Sequence, residues 1–377
     1  MLRQMKESDI DSIVNLENNT LGETLGHDML HDILNNPIMK AYCYEDNNNV
    51  LGYISVSFDG NILEILNFCV DINYQNKKIG KKLLNYAIIN NYKLGCKSVI
   101  LEVRKDNLRA IHLYESFGFK IIYVRKNYYK DLVDALIYEL KLNDYNLAID
   151  KEINIHCKIE KNNDYIKYYD EIQFDKYYHN FYKINNLDCI DKIIEDNKNN
   201  KFLCIEYDKP IDKKGFDEID DNIDMAAMIS AIDINDNKKG KIDIVTEENI
   251  ELAYSLIYND SLEFGADYSK KDSERIINDI KNSNSKAFVI SVNNELIGFI
   301  NTYVSNDICY LDHFFILEKY QKMGYGKSLF NYVINYYKNN NVNMAVLTAD
   351  NEDTPKEMYS KWEFIEINRS FFSRRGN

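Results

Sequence analysis

The sequence predicts an α/β protein with two mixed-sheet domains and a partial, degenerate unit between them. Three observations support this fold class: a repeated order of strands and helices, a repeated glycine loop and a repeated tyrosine block. The loop at residues 75–84 (QNKKIGKKLL) returns at residues 321–330 (QKMGYGKSLF). Each copy follows an apolar run typical of a strand and opens a segment with helical apolar spacing.

The tyrosine block follows each loop at nearly the same distance. Residues 113–119 (LYESFGF) return as residues 358–364 (MYSKWEF). Gly80 and Gly326 are 246 residues apart, and Tyr114 and Tyr359 are 245 residues apart. Two ordered motifs that recur at one offset are much stronger evidence than one glycine motif.

The first copy is predicted to begin with a helix, which is followed by strands and by helices that connect them. A capped helix is predicted to begin at Ser8 or Asp9, and Gly95 is predicted to end a later helix. The predicted strands are 40–45, 50–58, 62–70, 98–103, 119–125 and 134–140, and the later helices are 79–94 and 107–117. The inner face of the first of these helices is predicted to be Leu83, Leu84, Ala87 and Ile88.

The second copy repeats this order from residue 241. Its first helix is predicted to begin at Thr246, and two strands are predicted to pair across Asn293 and Asn294. The other predicted elements are helices 270–282, 325–339 and 354–361 and strands 286–292, 295–304, 308–316, 343–348 and 363–370.

The region between the copies has neither a glycine loop nor a tyrosine block. It is predicted to contain helices 161–171 and 186–199, a strand at 202–207, an acidic run at 212–224 and a strand at 225–232. The domains are therefore assigned as 1–143, 144–240 and 241–377, with the middle region interpreted as a truncated unit. An independent linker domain is the alternative.

Composition narrows the functional class. The 377 residues carry a net charge of −14, which disfavours nucleic-acid binding and suits a basic peptide or an amine. The seven cysteines are odd in number and irregularly spaced, as expected for reduced thiols in the cytoplasm. No signal core or membrane span is visible, so we expect a soluble cytoplasmic protein; the oligomeric state is not predicted.

The loop has the chemistry of a phosphate site. A glycine-rich turn between strand and helix leaves several backbone N–H groups pointing at one spot, and the helix N-terminus adds partial positive charge there.

A strand, the loop Gln-x-x-Gly-x-Gly, a helix, an asparagine and the block Leu-Tyr-x-x-x-Gly-Phe together resemble the GNAT superfamily of acetyl-coenzyme A dependent N-acyltransferases. The resemblance covers about residues 1–141 and 241–377. It implies that acetyl-coenzyme A is the co-substrate, that the loop holds its pyrophosphate and that the preceding strand binds its pantetheine arm. The implied coenzyme residues are Phe68, Cys69, Val70, Gln75, Lys78, Ile79, Gly80, Lys81 and Asn107 in the first copy, and Phe315, Ile316, Gln321, Gly324, Tyr325, Gly326, Lys327, Ser328 and Asn351 in the second.

The first copy is similar to a subfamily, the bacterial ribosomal-protein-alanine N-acetyltransferases. The likeness rests on residues 101–119 (LEVRKDNLRAIHLYESFGF), on 125–129 (RKNYY) and on Asp134. That subfamily acetylates the N-terminal amine of a ribosomal protein. The resemblance implies that Glu102 is the general base and Tyr114 the general acid.

The chemistry is consistent with these roles. A protonated amine cannot attack a thioester, so a carboxylate has to accept a proton. A tyrosine can donate to the departing thiolate, and a strand N–H at Cys69 or Val70 can stabilise the oxyanion. No metal is required, and no cluster of metal ligands is visible.

Each copy departs from the pattern. Lys78 stands where the first loop needs its first glycine; its side chain either hinders the approach of pyrophosphate or meets a phosphate. The second copy keeps Tyr359 as an acid, but Val346 and Leu347 stand where the first copy has Glu102, and Glu363 replaces a glycine. Asp312 and His313 are its candidate replacement bases.

Three functions follow from these observations. The first is acetyl transfer to a primary amine, with a peptide N-terminus favoured for the first copy. The second is acetylation of a small amine such as a polyamine or an antibiotic. The third is a coenzyme A-binding regulatory module with one dead site. His112 is interpreted as a helix-surface residue, and Tyr128 and Tyr129 either line the acceptor site or simply pack.

Overall fold

The computed structural model describes residues 1–22, 24–174, 176–211, 215–234, 238–351 and 355–376. Asp212 of the predicted acidic run and Thr354 of a predicted helix lie outside these residues. The chain forms two compact units. The first comprises Met1–Asn143, Ala226–Asp233 and Ser360–Ile367, and the second comprises Asp144–Met225, Ile234–Tyr359 and Asn368–Asn377.

The first unit is built on a seven-stranded sheet. Its strands are β1 (Leu2–Gln4), β2 (Met39–Asp46), β3 (Asn49–Phe58), β4 (Ile62–Val70), β5 (Ser98–Arg104), β6 (Lys120–Arg125) and β7 (Ala135–Lys141), and its helices are α1 (Ile10–Leu21), α2 (Gly26–Asn35), α3 (Ile79–Tyr92) and α4 (Leu108–Ser116). The spatial order is β1-β2-β3-β4-β5-β7-β6. β4 and β5 are the parallel pair; the other pairs are antiparallel.

The second sheet has eleven strands, and most of their residues belong to the second unit. The middle region contributes α5 (Asn146–His156), β8 (Lys158–Lys161), β9 (Tyr165–Tyr169), β10 (Phe181–Ile184), α6 (Ile190–Asp196), β11 (Leu203–Tyr207) and β12 (Glu218–Met228). The second copy contributes β13 (Lys241–Ile244), α7 (Ile250–Asp260), α8 (Ala266–Lys281), β14 (Lys286–Val292), β15 (Glu295–Ser305), β16 (Ile308–Ile316), α9 (Tyr325–Asn339), β17 (Met344–Asp350), α10 (Pro355–Lys361) and β18 (Ile365–Arg375). The spatial order is β13-β14-β15-β16-β17-β12-β18-β11-β10-β9-β8.

The predicted inner face of α3 is confirmed. Leu83, Leu84, Ala87 and Ile88 are fully buried. The predicted hairpin between β14 and β15 is also confirmed: its turn residues Asn293 and Asn294 both have positive φ, at 49° and 67°. Two such residues form the hairpin turn whose twist matches that of the flanking strands. The predicted strands and helices of both copies are present, with ends shifted by a few residues.

The middle region shares its sheet with the second copy. β12 lies between β17 and β18, which is the place that β7 takes between β5 and β6 in the first sheet. The second copy has no strand of its own after β18, so a strand from the middle region completes its order. The middle region therefore does not form a separate sheet.

Two predictions in the middle region were wrong. Residues 161–171, predicted as a helix, form the β8–β9 hairpin, in which Lys161 pairs with Ile166. Asn162 turns the chain by accepting hydrogen bonds from the backbone of Asp164 and Tyr165. The β-forming run Tyr-Ile-Lys-Tyr-Tyr then pairs on both sides, and this strand pairing overrides the helical spacing.

The second error is a strand boundary. The strand predicted at 225–232 begins earlier and ends at Met228, where the N–H of Ala231 turns back to the carbonyl of Met228. Helices α2 and α5 were not predicted. Among the described residues, no helix is both long and apolar enough to cross a membrane.

A buried ion-pair network joins α5 to α8 inside the second unit. The ammonium of Lys176 lies 2.9 Å from Asp272 and 3.4 Å from Glu152. Arg275 pairs with the same two carboxylates. Burial alone would raise the pKa of Glu152, but the charges of Arg275 and Lys176 hold that pKa well below its usual range. Glu152 is therefore ionised and compensates two buried cations.

Replacing Glu152 with glutamine should destabilise the fold strongly. Lys176 and Arg275 would then share Asp272 alone, and an uncompensated buried charge costs about 3 kcal/mol or more. The free energy of unfolding in urea checks this. The matched control is Glu171→Gln, which removes an exposed pair with Lys158 and should cost under about 1 kcal/mol. Equal losses for the two variants would contradict the role given to Glu152.

Candidate active sites

In both copies, the central parallel strands separate after a few pairs. β4 pairs with β5 from Ile62 to Ile65, and β16 pairs with β17 from Ile308 to Tyr310. A register shift in the neighbouring antiparallel ladder accompanies each opening. The strand ends beyond these pairs therefore flank a cleft, into which main-chain groups of β4 and β16 can point.

The alternation of the backbone shows which N–H groups point into the cleft. The N–H of Asp71 bonds the carbonyl of Leu51 at 2.9 Å, so the N–H of Cys69 also faces β3 and that of Val70 faces the cleft. In the second copy, the N–H of Leu317 bonds Ile297 at 2.8 Å, and that of Ile316 faces the cleft. Of the two oxyanion donors predicted from sequence, Val70 has the suitable direction.

In each copy, a glutamine side chain hydrogen-bonds the loop to the strand that precedes it. Gln75 Nε2 donates to the carbonyl oxygen of Val70 at 3.0 Å, and Gln321 Nε2 donates to that of Ile316 at 2.9 Å. The two copies therefore hold the start of the loop against the cleft in the same way.

The two loops have the same backbone at the key position. Lys78 has φ 66° and ψ 2°, and Gly324 has φ 88° and ψ 2°. Each residue immediately precedes its helix, and the first helical bonds run from Lys82 to Lys78 and from Ser328 to Gly324 at 3.1 Å. The lysine thus adopts the left-handed conformation that glycine favours, at a cost of about 1 kcal/mol.

Each of the two loops leads into the first turn of a helix, whose backbone N–H groups face the N-terminal end of that helix. Those of Ile79 and Gly80 in α3, and of Tyr325 and Gly326 in α9, precede the hydrogen-bond ladder of their helices. A Cβ atom on Gly80 would meet Phe68 and Leu113 at 3.5 Å, an ordinary van der Waals distance, so the start of α3 packs against β4 and α4 with room for a methyl group. Gly326 approaches Phe314 and Ile316 in the same way.

A lysine ammonium lies beside each loop. Lys78 pairs with Asp233, a partly exposed contact within the first unit. In the second copy, Lys239 Nζ donates to the carbonyl of Met323 at 2.7 Å, and its backbone bonds the Ser328 hydroxyl. Lys239 was not predicted. It precedes the loop by more than eighty residues, so no local motif signals it.

Tyr114 lies beside the cleft of the first copy. Its ring centre is 6.4 Å from that of Phe68 on β4 and 5.8 Å from that of Phe119. Burial raises the pKa of the Tyr114 hydroxyl, which therefore keeps its proton at neutral pH. Tyr359 is buried in the second copy, and burial raises the pKa of its hydroxyl as well.

Glu102 is the first residue of β5 beyond its last pair with β4. Its carboxylate is partly exposed and accepts a hydrogen bond from Arg125 at 2.6 Å. In the second copy, Leu347 is buried at the corresponding place on β17, so no carboxylate lies there.

A second carboxylate at the first cleft was not predicted from sequence. Glu17 on α1 is fully buried and accepts hydrogen bonds from the Tyr53 hydroxyl, from Asn67 Nδ2 and from the backbone of Leu25. Asn67 lies next to the register shift of β4. The signal for such a residue is a glutamate on the buried stripe of an amphipathic helix, and it does not reveal the partner strand.

In the second copy, Asp312 and His313 lie at the register shift of β16. Burial and the charge of Glu152 raise the pKa of Asp312 to about 7. Burial lowers the pKa of His313, so its ring is neutral at pH 7. The structure therefore brings the two predicted replacement bases to the edge of the second cleft.

The two predicted asparagines already have other partners. Asn107 caps α4, since its Oδ1 accepts a hydrogen bond from the N–H of Ala110 at 3.2 Å. Asn351 donates to Asp221 on β12 at 2.7 Å and accepts a hydrogen bond from Lys356. Their contacts with a coenzyme stay predictions.

The remaining predicted residues lie along the same elements. His112 is exposed on α4, as expected. Tyr128 and Tyr129 contact each other edge to face, and the guanidinium groups of Arg125 and Arg104 lie over their respective rings. Lys81 lies on α3, Lys327 and Ser328 lie on α9, and Phe315 and Ile316 lie on β16.

Two family models match the chain. The Acetyltransferase (GNAT) family matches residues 10–119, and the Acetyltransferase (GNAT) domain matches residues 247–376. Together they cover well over half of the chain and coincide with the two clefts.

The first copy is similar to named enzymes. The [ribosomal protein bS18]-alanine N-acetyltransferase of Escherichia coli strain K12 is 39% identical over 82 residues, 21% of this chain and 55% of that enzyme. The chain thus spans about half the length of this curated relative. The putative [ribosomal protein bS18]-alanine N-acetyltransferase of Bacillus subtilis strain 168 is 28% identical over 145 residues, 38% of this chain and 96% of the relative.

One solved structure resembles a larger part of the chain. A functionally unknown conserved protein from Staphylococcus epidermidis has a TM-score of 0.52 and 20% sequence identity, over 60% of this chain and 97% of that one. At this identity the likeness concerns the fold alone.

Replacing Asp312 with asparagine should change how stability depends on pH. A carboxyl whose folded pKa is about 7 and whose unfolded pKa is about 3.8 stays protonated in the fold, so its ionisation lowers stability as pH rises between these values. Asparagine lacks this loss, so the variant should gain about 4 kcal/mol relative to wild type between pH 4 and pH 8.

Urea unfolding at several pH values checks this. The groups around Asp312 are Glu152 on α5, Lys176, and Asp272 and Arg275 on α8, and they are common to both proteins. A difference in stability that does not change with pH would contradict the raised pKa of Asp312.

Proposed function

Because this chain contains two GNAT acetyltransferase domains, we propose that it transfers an acetyl group from acetyl-coenzyme A to a primary amine. The observation that carries the proposal is the combination, in both copies, of separated parallel strands with a loop that opens onto a helix N-terminus. Such a cleft suits the extended pantetheine arm of acetyl-coenzyme A, and such a loop suits its phosphates.

The loops are proposed to hold the pyrophosphate through main-chain amides. Ile79 and Gly80 would supply them in the first copy, and Tyr325 and Gly326 in the second. Lys78 and Lys239 each add an ammonium beside its loop. A phosphate would compete with Asp233 for Lys78, whose partly exposed ion pair is worth about 1 kcal/mol or less.

In the first copy, Glu102 is proposed to accept the proton of the amine. The nitrogen then attacks the acetyl carbonyl carbon, and the N–H of Val70 stabilises the oxyanion. The carbon–sulfur bond breaks, and the Tyr114 hydroxyl gives its proton to the thiolate. The position of Glu102 just past the last strand pair, and that of Tyr114 beside Phe68, support these roles.

For the first copy, a peptide N-terminal amine is the proposed acceptor. The similarity to the ribosomal protein bS18-alanine N-acetyltransferases supports it. The two stacked aromatic–guanidinium pairs near Glu102, formed by Tyr128 and Tyr129, would line the acceptor side.

The middle region is proposed to be a truncated GNAT-like unit at 144–240. Its strands β8, β9 and β10 are antiparallel neighbours, and β10 runs parallel to β11. This is the order of β2 to β5 in the first sheet. It supplies a strand to the second copy, and no coenzyme site is proposed for it.

Gly324→Glu should abolish coenzyme binding at the second site. A side chain at φ 88° is strained, and a carboxylate beside the amides of α9 repels phosphate. Calorimetry with coenzyme A should then show one fewer bound molecule. The control is Asn340→Glu, which adds the same charge at the far end of α9 and should bind as wild type does. Unchanged stoichiometry in Gly324→Glu would argue against this loop.

Glu102→Gln and Tyr114→Phe should each lower kcat in the first copy by about a hundredfold, since each removes a proton-transfer group. Thiol release from acetyl-coenzyme A with an alanine-initiated peptide measures this. The controls, Glu64→Gln and Tyr123→Phe, change exposed side chains and should keep wild-type rates. If no variant alters thiol release, the acid and base assignments are wrong; if wild type binds coenzyme A without releasing thiol, the first copy is a binding module.

A further inference from the structure

The second copy has a carboxylate without a counter-ion beside its cleft. Asp312 lies on β16 two residues beyond Tyr310, the last residue that pairs with β17. Within the described parts of the chain, no ion pair or hydrogen bond engages this carboxylate, and its raised pKa is explained by burial and neighbouring charges alone.

The charges around Asp312 already balance without it. Glu152 and Asp272 carry two negative charges, and Lys176 and Arg275 carry two positive charges, all four paired with one another. The ring of His179 also contacts Glu152, and it has a carboxylate partner of its own in Asp170. An ionised Asp312 therefore adds one uncompensated negative charge to this buried cluster. A buried charge of this kind is stable only if it takes up a proton or binds a cation.

An unpartnered amide faces the same place. Asn301 on β15 is fully buried, and within the described chain neither its Oδ1 nor its Nδ2 has a hydrogen-bond partner. Asn301 pairs directly with Asp312 across the antiparallel ladder, so the two side chains project from the same face of the sheet. A buried amide left wholly unsatisfied costs free energy that a ligand would recover.

A third unpartnered group adjoins these two. His313 follows Asp312 on β16, where its positive φ of 47° interrupts the strand alternation, and its ring centre lies 6.0 Å from that of Phe299, two residues before Asn301 on β15. Its buried Nε2 also has no partner among the described residues. Since burial lowers the pKa of His313, the ring is neutral at pH 7 and one of its nitrogens can accept a hydrogen bond.

We propose that Asp312, Asn301 and His313 form the acceptor site of the second copy and bind the primary ammonium group of a small cationic amine. An ammonium carries one positive charge and three N–H donors. The site offers one unbalanced negative charge and three acceptors: a carboxylate, the Asn301 Oδ1 and a neutral ring nitrogen. Because Asn301 is fully buried, a small molecule can reach it more readily than a large one can. The inference rests on the proposed function for the transfer step, and the binding step is independent of it.

The site also explains how the second copy reacts without a counterpart of Glu102. The bound ammonium gives a proton to Asp312, and its nitrogen attacks the acetyl carbonyl carbon. A carbon–nitrogen bond forms, the carbon–sulfur bond breaks, and the Tyr359 hydroxyl gives its proton to the thiolate. Asp312 then releases its proton to solvent, and Tyr359 regains one, which completes the balance.

The test is calorimetric titration of the full chain with n-butylamine hydrochloride at pH 8 in the absence of coenzyme. Wild type should bind the amine and should not bind n-butanol, which has a similar size and no charge. Asp312→Asn should weaken amine binding by about tenfold or more, since it removes the counter-ion. Asn301→Leu, which keeps the shape and removes both polar atoms, should weaken it several-fold.

The matched control is Asp208→Asn, which removes one exposed carboxylate from the same unit and should bind as wild type does. Circular dichroism confirms that each variant is folded. Equal amine affinity in Asp312→Asn and wild type, or no binding by wild type at millimolar amine, would overturn the proposal.

A separate titration with coenzyme A distinguishes this inference from the proposed function. Amine binding that depends on Asp312, in a protein that does not bind coenzyme A, would support the site and refute the transferase. Coenzyme A binding without amine binding would refute the site and leave the proposed function standing.

Discussion

The structure depends on one constraint: two parallel strands at the centre of each copy stop pairing after three or four residues. Beyond that point β4 and β16 still pair with β3 and β15, but in the described chain their main-chain groups on the opposite side face no strand, and a buried backbone group without a partner is costly. The neighbouring antiparallel ladder shifts register at the same place, which turns the strand away. An extended ligand that supplies hydrogen bonds would complete the sheet, and every other feature of the two sites is arranged around this gap.

The two loops share the same backbone conformation although their side chains differ. Lys78 and Gly324 adopt nearly the same φ and ψ, and the glutamines that tie the loops to the strands make the same bond. The sequence left open whether the side chain of Lys78 hinders the approach of pyrophosphate or meets a phosphate. In the structure the helix start keeps its geometry, and the lysine adds a positive charge beside it.

The two copies differ in the side chains that face the cleft. The first places Glu102 at the end of β5 and buries Glu17 under β4, both held by hydrogen bonds. The second has an apolar residue in place of Glu102, and its acidic groups come from β16, from α8 and from α5 of the middle region. The middle region thus contributes charges as well as five strands to the second sheet, so it belongs to that sheet and to the polar interior of the second unit.

The sequence by itself determined the fold class, the two copies, most of their strands and helices, and the loops and tyrosines, because these depend on short-range periodicity, on turn chemistry and on motifs repeated at one offset. It misjudged residues 161–171, where strand pairing with distant segments outweighed a local helical pattern. Only the tertiary structure brought Lys239 to the second loop, Glu17 to the first cleft, and Asp312 beside Asn301 and the Glu152 network. Such contacts join residues that are far apart in the chain. They arise from sheet order and register, which local patterns do not encode.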